Sequence, residues 1–180
     1  RFLELAHRLD KETSGVLVLA LKRSALVELH RMLREGETRK TYLTLASGDW
    51  RDPIRHVKLA LHKYQTDEGE RRVVVDEEGQ HAHTIFRLVR RAGEFSLLEA
   101  ELKTGRTHQI RVHLAALQHP IAGDDKYGDF ELNRALKKRG LKRMFLHAAR
   151  LELRHPSTGA QVKLEAAMPE DLRGFLEGLD

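Results

Sequence analysis

The sequence predicts an α+β fold built around a mixed, mainly antiparallel β-sheet. Its strand-like segments occur in runs with few helices between them, which is typical of this class and not of a wound parallel sheet. A chain of 180 residues is long enough to bury a core within one domain. Its composition, with 41% hydrophobic and 33% charged residues, is that of a globular protein and not of a disordered one.

The first third of the chain predicts a buried strand followed by a helix. Residues 16–21 form the longest apolar run, and its length is that of a strand. Ser24 is predicted to cap an amphipathic helix, because Leu26, Leu29 and Leu33 then fall on one apolar stripe. Both elements are therefore predicted to bury apolar side chains.

The next predicted strand, over residues 39–46, has two different faces, because side chains alternate across a strand. The predicted faces are Thr41, Leu43 and Leu45 on one side, and Lys40, Tyr42 and Thr44 on the other. The polar residues 49–80 that follow predict a long hairpin or an insertion.

The second half of the chain predicts further strands and helices. Strands over 84–89 and 95–102 are separated by a turn at Ala92-Gly93. A helix opens at Gly105 and runs to about residue 118, where His119-Pro120 stops it. The remaining predicted elements are a loop over 123–129, a short basic helix over 132–139, strands over 144–153 and 161–166 around a turn at 155–159, and a last helix that begins at Pro169.

Several classes of protein are excluded by what the sequence lacks. Without cysteine, it has no disulfide, zinc–thiolate site or cysteine nucleophile. It contains no phosphate-binding loop, dinucleotide fingerprint or Gly-flanked serine, so we expect no cofactor. We also expect no metal, since His81 and His83 share a strand face without an evident third ligand. No apolar run approaches the roughly 20 residues of a membrane helix, and no secretory signal is visible, so we expect a cytoplasmic protein without a membrane partner.

The charge of the chain permits a polyanionic partner without requiring one. The net charge is +5, a moderate excess for a chain of this length. Residues 134–143 contain six basic residues and no acidic residue. This basic segment is either a surface that contacts phosphates or a solvated helix face, and the sequence favours neither.

Asp10 is the first candidate for chemistry, because this carboxylate lies in a polar segment directly before the predicted first strand. Arg8 precedes it, and the small residues Thr13, Ser14 and Gly15 would let a ligand approach the backbone closely. Asp10 could equally cap a turn or pair with Arg8. The local sequence therefore leaves a functional and a structural role open.

Residues 104–114 form the second candidate segment. A helix start led by Gly105 places free backbone amides where an anion can bind. Arg106 and Arg111 add positive charge, and Arg111 shares a helical face with His108. The alternative is an ordinary amphipathic helix with exposed basic residues.

Lys40 and Tyr42 are the third candidate, since they share one face of the strand over 39–46. A basic residue beside an aromatic ring suits a nucleobase and its phosphate, through stacking and charge. The alternative is that Tyr42 lies at the rim of the sheet without contacting a ligand.

Taken together, these segments resemble the RluA family of pseudouridine synthases, and most of all its bacterial RluC branch, which modifies large-subunit ribosomal RNA. The matching motifs are Arg8-Leu9-Asp10 with Thr13-Ser14-Gly15, Lys40-Thr41-Tyr42, residues 104–113, His119-Pro120-Ile121, Gly123-Asp124, Tyr127-Gly128, residues 145–148, and His155-Pro156 with Thr158-Gly159. Residues 22–26 and 123–129 carry the likeness to the RluC branch. The motifs cover nearly the whole chain in the family's order.

The resemblance implies a sheet flanked by helices and loops around a central active-site cleft, with residues 1–180 as the catalytic domain. By the same resemblance, Asp10 is the catalytic carboxylate, Tyr42 stacks on the flipped uracil and assists proton removal, and Arg111 pairs with Asp10. The residues expected to contact RNA are Arg8, Lys40, Arg106, His108 and Gln109. No cofactor is implied, because isomerising uridine needs no net redox change.

The resemblance also implies what surrounds this chain. Family members carry more catalytic-domain sequence before the Arg-Leu-Asp motif, and the RluC branch carries an S4-type RNA-binding domain before that. Only six residues precede His7, so we expect this N-terminal part to be absent from the chain. The expected partner is large-subunit ribosomal RNA, bound by a monomer. The alternatives are the same reaction on transfer RNA, or a non-catalytic RNA-binding factor in ribosome assembly.

Overall fold

The computed structural model describes residues 1–180. Its strands are β1 (Glu4–Leu5), β2 (Ser14–Gly15), β3 (Leu19–Ala20), β4 (Arg39–Ser47), β5 (Ile54–Val57), β6 (Leu61–Gln65), β7 (Arg71–Val75), β8 (Thr84–Ala92), β9 (Phe95–Leu102), β10 (Leu146–Arg154) and β11 (Gln161–Glu165). Its helices are α1 (Arg23–Arg34), α2 (Gln109–Ala116), α3 (Phe130–Lys138) and α4 (Glu170–Glu177). None of these helices is long and apolar enough to cross a membrane.

A seven-stranded sheet organises the molecule, with the strand order β11-β10-β4-β9-β8-β5 and β2 added beside β10. Every pair in this order is antiparallel, whereas β2 pairs with β10 in parallel. The strands β1 and β3 form a separate two-stranded ribbon, and β6 and β7 form another. The predicted α+β fold with a mixed, mainly antiparallel sheet is therefore confirmed, and residues 49–80 do contain the predicted hairpin.

The main core lies between the sheet and the helices α2, α3 and α4. Its largest fully buried side chains include Trp50, Phe86, Phe95, Phe145, Leu98, Leu114, Leu136 and Leu172. Burying each such side chain contributes roughly 1.5–3 kcal/mol. This core holds α2 against β8, which fixes the helix start that faces the cleft described below.

The prediction of a buried strand over residues 16–21 is wrong. Only Leu19–Ala20 forms a strand, and Leu17, Leu19 and Leu21 are 41%, 47% and 62% exposed. The ribbon of β1 and β3 packs one face on α1 through Ala20, and nothing in the chain covers its other face. Alternate residues of the apolar run therefore point to solvent.

Two helix starts also differ from prediction. Lys22, and not Ser24, is the N-cap of α1, and its side chain makes no capping hydrogen bond. The helix begins two residues earlier than predicted, and its buried residues are Leu26, Leu29 and Met32. The helix α2 begins at Gln109 and not at Gly105, because the backbone turns at residues 107–108 first.

Candidate active site

A cleft of about 720 Å³ opens on the sheet where the predicted site residues meet. Most of its lining comes from residues 7–13, the first half of β4, and residues 102–111, and the rest comes from the end of α1, the hairpin of β6 and β7, and the start of β10. A volume of this size suits a nucleotide-sized ligand. Asp10, Tyr42 and Arg111, far apart in sequence, all line this one cleft.

The loop that carries Asp10 is held tightly against the sheet. The Thr13 N–H donates to the Asp10 carbonyl at 3.0 Å, and the Val16 N–H donates to the Ala148 carbonyl at 2.9 Å. Gly15 has φ +125°, and a Cβ there would lie 2.2 Å from the Ala148 carbonyl oxygen. Gly15 is therefore needed for docking the loop on β10, and not for the ligand approach suggested by its size.

Arg111 and Asp10 contact each other across the cleft, as the resemblance implies. The Arg111 Nη1 lies 3.4 Å from the Asp10 Oδ2, which is a long contact. The Arg111 side chain is only 7% exposed, whereas that of Asp10 is 28% exposed. Asp10 is thus the accessible member of the pair, and Arg111 the buried one.

Asp124 is the main partner of Arg111, and sequence reasoning gave it no role. The Arg111 Nε and Nη2 donate to the two carboxylate oxygens of Asp124 at 2.9 and 2.8 Å, which makes a bidentate ion pair. Backbone N–H groups of Lys126 and Tyr127 also donate to Asp124 Oδ1. Burial alone would raise the pKa of Asp124, but the hydrogen bonds and charge of Arg111 lower it overall. Both members of the pair therefore stay charged.

Two glycines that flank the loop of Asp124 are the sequence feature that could have indicated its buried position. Gly123 has φ +82°, and a Cβ there would lie 2.4 Å from the Arg143 carbonyl oxygen. A Cβ at Gly128 would lie 2.2 Å from the Asp124 carbonyl oxygen. Only glycine fits at either position, so the Gly-Asp and Tyr-Gly motifs mark a loop wound closely around a buried acid.

Tyr127 joins this loop to the cleft and to the hairpin of β6 and β7. The Arg111 guanidinium lies 5.1 Å from the centre of its ring, within the range of a cation–π contact. Its phenol accepts from the Val73 N–H at 3.0 Å, so the phenol proton is free to donate to the His108 Nδ1 at 2.7 Å. Burial lowers the pKa of His108 despite the opposing charge of Asp10. His108 is thus a neutral imidazole at pH 7, anchored at the start of α2.

Tyr42 forms part of an apolar floor of the cleft. It packs against the main core, beside Leu102, Ile110 and Leu146. Burial, together with the charge of Asp10, raises the pKa of Tyr42 to about 12. Its ring is therefore placed to stack on a base, and its phenol remains protonated at neutral pH.

This pKa gives a direct prediction for Tyr42. In a titration followed by ultraviolet difference absorbance, the component lost in Tyr42→Phe should have its midpoint near pH 12. Unperturbed tyrosine titrates near pH 10, so the folded protein favours the phenol and loses that stabilisation as pH rises from about 10 to 12. A missing component with a midpoint near pH 10 would show that Tyr42 is not buried beside Asp10.

Lys40 lies under the loop that precedes α2. A Cβ at Gly105 would lie 2.7 Å from its Nζ, so this glycine leaves room for the ammonium group. Burial lowers the pKa of Lys40. Lys40 is therefore a partly buried cation beside Tyr42, as the alternation of β4 predicted.

Gln109, predicted to contact RNA, is instead buried in its own loop, with 2% exposure. Its Oε1 accepts from the Thr104 hydroxyl and the Arg106 N–H, and its Nε2 donates to the His83 carbonyl and the Thr84 hydroxyl. These bonds use its amide fully, so Gln109 braces residues 104–109 and has no group left for a ligand. Arg106 and Arg8, by contrast, are exposed at the cleft.

The lining of the cleft is strongly cationic, and Asp10 is its single carboxylate. Apart from Arg34 and Arg111, its basic side chains form no ion pair; they are Arg8, Lys11, Lys40, Lys63, Arg71, Lys103 and Arg106. In the basic segment 134–143, Arg134, Arg139 and Arg143 each pair with a carboxylate, whereas its three lysines do not. The cleft thus gathers seven unpaired cations around one cavity, where phosphates would be attracted.

Comparison with known proteins shows which proteins this sequence is similar to. The sequence matches the family model described as RNA pseudouridylate synthase over residues 1–116. It is 48% identical over 181 residues to the ribosomal large subunit pseudouridine synthase C of Escherichia coli K12, covering 99% of this chain and 57% of that protein. The protein of the same name from Haemophilus influenzae is 43% identical, with 99% and 56% covered. The chain thus spans little more than half the length of these relatives.

Solved structures give the same result for the fold. The human RNA pseudouridylate synthase domain containing 1 matches with a TM-score of 0.80 and 28% identity, covering 99% of this chain and 72% of that one. The human RNA pseudouridylate synthase domain containing 4 also has a TM-score of 0.80 and 28% identity, with 98% and 76% covered. The overall fold of this chain is thus one that these structures share.

Proposed function

Because this chain belongs to the RNA pseudouridylate synthase family, we propose that it isomerises specific uridines to pseudouridine in large-subunit ribosomal RNA. Residues 1–180 would form the catalytic domain. The observation that carries the proposal is the placement of Asp10, a partly exposed carboxylate that contacts Arg111 in an otherwise cationic cleft. The relatives named for the large ribosomal subunit support this choice of substrate.

The reaction asks for little beyond a well-placed carboxylate. The bond between uracil N1 and ribose C1′ breaks, the base turns, and a bond forms between C5 and C1′. The proton on C5 leaves to solvent and N1 gains one, so the product is an isomer. An ionised Asp10 can attack C1′, attack the base ring or withdraw a ribose proton, and each route needs its oxygen beside the nucleoside.

The cleft also provides what a flipped nucleotide requires. A base drawn out of its stack loses contacts that an aromatic ring can replace. Tyr42, with its protonated phenol, would supply that surface and would need a base such as Asp10 before it could accept a proton. The unpaired cations Arg8, Lys40 and Arg106 would contact phosphates. His108 would complete the wall beside them.

We further propose that the protein acts as a monomer in the cytoplasm. The three residues proposed for the chemistry, Asp10, Tyr42 and Arg111, all come from one chain. The bacterial relatives are named for the ribosome, which bacteria assemble in the cytoplasm. Gel filtration with light scattering measures the oligomeric state. A dimer in that measurement would contradict the proposed monomer.

The cleft cations predict a measurable dependence of RNA binding on salt. Replacing Lys63 and Arg71, both exposed and unpaired on the hairpin of β6 and β7, with Ala should weaken binding roughly threefold per phosphate contact. The slope of log affinity against log salt should fall by about one per contact. Lys163, which pairs with Glu165 on β11, is the matched control. Equal effects at both sites would mean that the cleft does not bind the RNA backbone.

The function is tested with the full-length protein and RNA labelled with tritium at uracil C5. Isomerisation must release that tritium, and we expect release from 23S ribosomal RNA and not from transfer RNA. Release from transfer RNA alone would reassign the substrate. Tight binding of ribosomal RNA without any release would instead indicate a non-catalytic assembly factor.

A further inference from the structure

Arg143 lies between α3 and β10 and connects three parts of the molecule. Its Nη1 donates to the Glu12 carbonyl at 2.8 Å, and its Nη2 donates to the Ser14 hydroxyl oxygen at 3.1 Å. Its Nε donates to the Asp171 carboxylate, in the first turn of α4, at 2.6 Å. The side chain is 19% exposed. Arg143 thus binds the loop that follows Asp10 while it is itself held by the last helix.

The loop needs such a restraint because of its backbone. Glu12 has φ +70°, a left-handed conformation that side chains other than glycine rarely adopt. Residues in such conformations persist when the surrounding structure holds them in place. Arg143 binds the carbonyl of this very residue, two positions after Asp10. The contact therefore acts where the loop is under strain.

His147 gives the same loop a second anchor. Because the Ser14 oxygen accepts from Arg143, its hydroxyl proton can donate to the His147 Nδ1 at 2.9 Å. The opposite nitrogen, Nε2, then carries the proton and donates to the Ala166 carbonyl at 2.8 Å. The Arg143 Nη2 also donates to the second Asp171 carboxylate oxygen at 3.2 Å. The segment before α4 is therefore tied to the Asp10 loop through two side chains.

Arg111 alone does not fix the position of Asp10. Its contact with the Asp10 carboxylate is a single one at 3.4 Å, whereas its two shorter bonds go to Asp124. A contact of that length constrains orientation weakly. The position of the Asp10 carboxylate must therefore come largely from the backbone of residues 10–14.

On the basis of the proposed function, we propose that Arg143 is a positioning residue for the reaction. It holds the backbone of residues 12–14 so that the Asp10 carboxylate stays beside Arg111 and within reach of the bound nucleoside. Arg143 touches no substrate in this role. Its effect is on the fraction of bound complexes in which Asp10 is correctly placed.

The first test uses tritium release by the full-length protein. Arg143→Ala should lower kcat about a hundredfold, the scale expected for misplacing a reacting group by about 1 Å, while KM for RNA changes less than about threefold. Arg143→Lys should recover only part of kcat, because an ammonium cannot reproduce the fork of the guanidinium. Added guanidinium ion should raise the activity of Arg143→Ala and not that of Arg143→Lys.

Arg139→Ala is the matched control, since Arg139 belongs to the same basic segment and pairs with Glu94 but does not contact the loop. It should leave kcat nearly unchanged. If both variants lower kcat equally, or if Arg143→Ala raises KM and spares kcat, Arg143 is a structural or RNA-binding residue and the proposal is wrong.

A second measurement does not depend on activity. Hydrogen exchange should accelerate at the Thr13 and Val16 amides in Arg143→Ala, at least tenfold, because both are bonded within or beside the held loop. Arg139→Ala should leave both rates unchanged. Unchanged exchange in Arg143→Ala overturns the positioning role whatever the activity shows. If the wild type releases no tritium from any RNA while exchange behaves as expected, the proposed function fails and the restraint of the loop stands.

Discussion

Replacing Asp10 with Asn should reduce uridine isomerisation by at least about a thousandfold, the scale of losing a reacting group. The amide has nearly the same shape and still accepts a hydrogen bond from Arg111, but it is neither a nucleophile nor a base at neutral pH. RNA affinity should stay equal or rise slightly, since one negative charge leaves a cationic cleft. Tritium release and filter binding measure the two quantities separately.

Glu12→Gln is the control for this change. Glu12 is an exposed carboxylate two residues away, so its replacement alters the local charge equally without touching the cleft lining. It should leave the rate nearly unchanged. An Asp10→Asn protein that releases tritium at the wild-type rate would remove Asp10 from the chemistry altogether.

Replacing Asp124 with Ala should lower the free energy of unfolding by about 3–5 kcal/mol, the cost of leaving one member of a buried ion pair uncompensated. Arg111 would keep its charge with 7% exposure and only the long contact to Asp10. Denaturant unfolding measures the loss. The control is Glu170→Ala, because Glu170 and Arg173 form an exposed pair whose removal should cost under about 1 kcal/mol.

A double variant of the Arg111–Asp124 ion pair separates the effect on stability from the effect on catalysis. Arg111→Met combined with Asp124→Asn removes both charges, and the Asn oxygen can still accept from the Lys126 and Tyr127 N–H groups. Much of the lost stability should return, because no buried charge is left unpaired. Tritium release should nevertheless be strongly reduced, because the Asp10 carboxylate has lost its cationic partner, while RNA affinity falls only modestly. A stable and active double variant would show that Arg111 has no part in positioning Asp10.

The class of fold could be predicted from the sequence because alternation of side chains is a local property. The predicted ranges of the strands β4, β9, β10 and β11 lie close to the observed ones, and β11 also alternates in burial along its length. The prediction of a buried strand over residues 16–21 was wrong for a physical reason. An apolar run alone does not determine which neighbouring elements will cover it. Burial on one face of a ribbon is decided by tertiary packing.

Part of the candidate site could also be predicted, but from the family resemblance and not from local alternation. Asp10 and Arg111 are 101 residues apart, and a resemblance to known motifs, not any local pattern, suggested that they meet. Asp124 was missed although its flanking glycines were noted, because a buried acid and a turn-forming acid look alike in sequence. Arg143 was assigned to a basic surface segment, yet its partners lie 131, 129 and 28 residues away. Contacts of that range cannot be derived from one sequence.

Mapping pseudouridines in 23S ribosomal RNA tests the central claim most directly. Cells of the source organism that lack the gene should lose pseudouridine at specific positions, because the proposed enzyme isomerises particular uridines. Full-length wild-type protein should restore them, and Asp10→Asn, expressed at the same level, should restore none. A deletion strain with an unchanged pseudouridine map, or an Asp10→Asn protein that restores it, would contradict the claim that Asp10 of this chain isomerises ribosomal uridines.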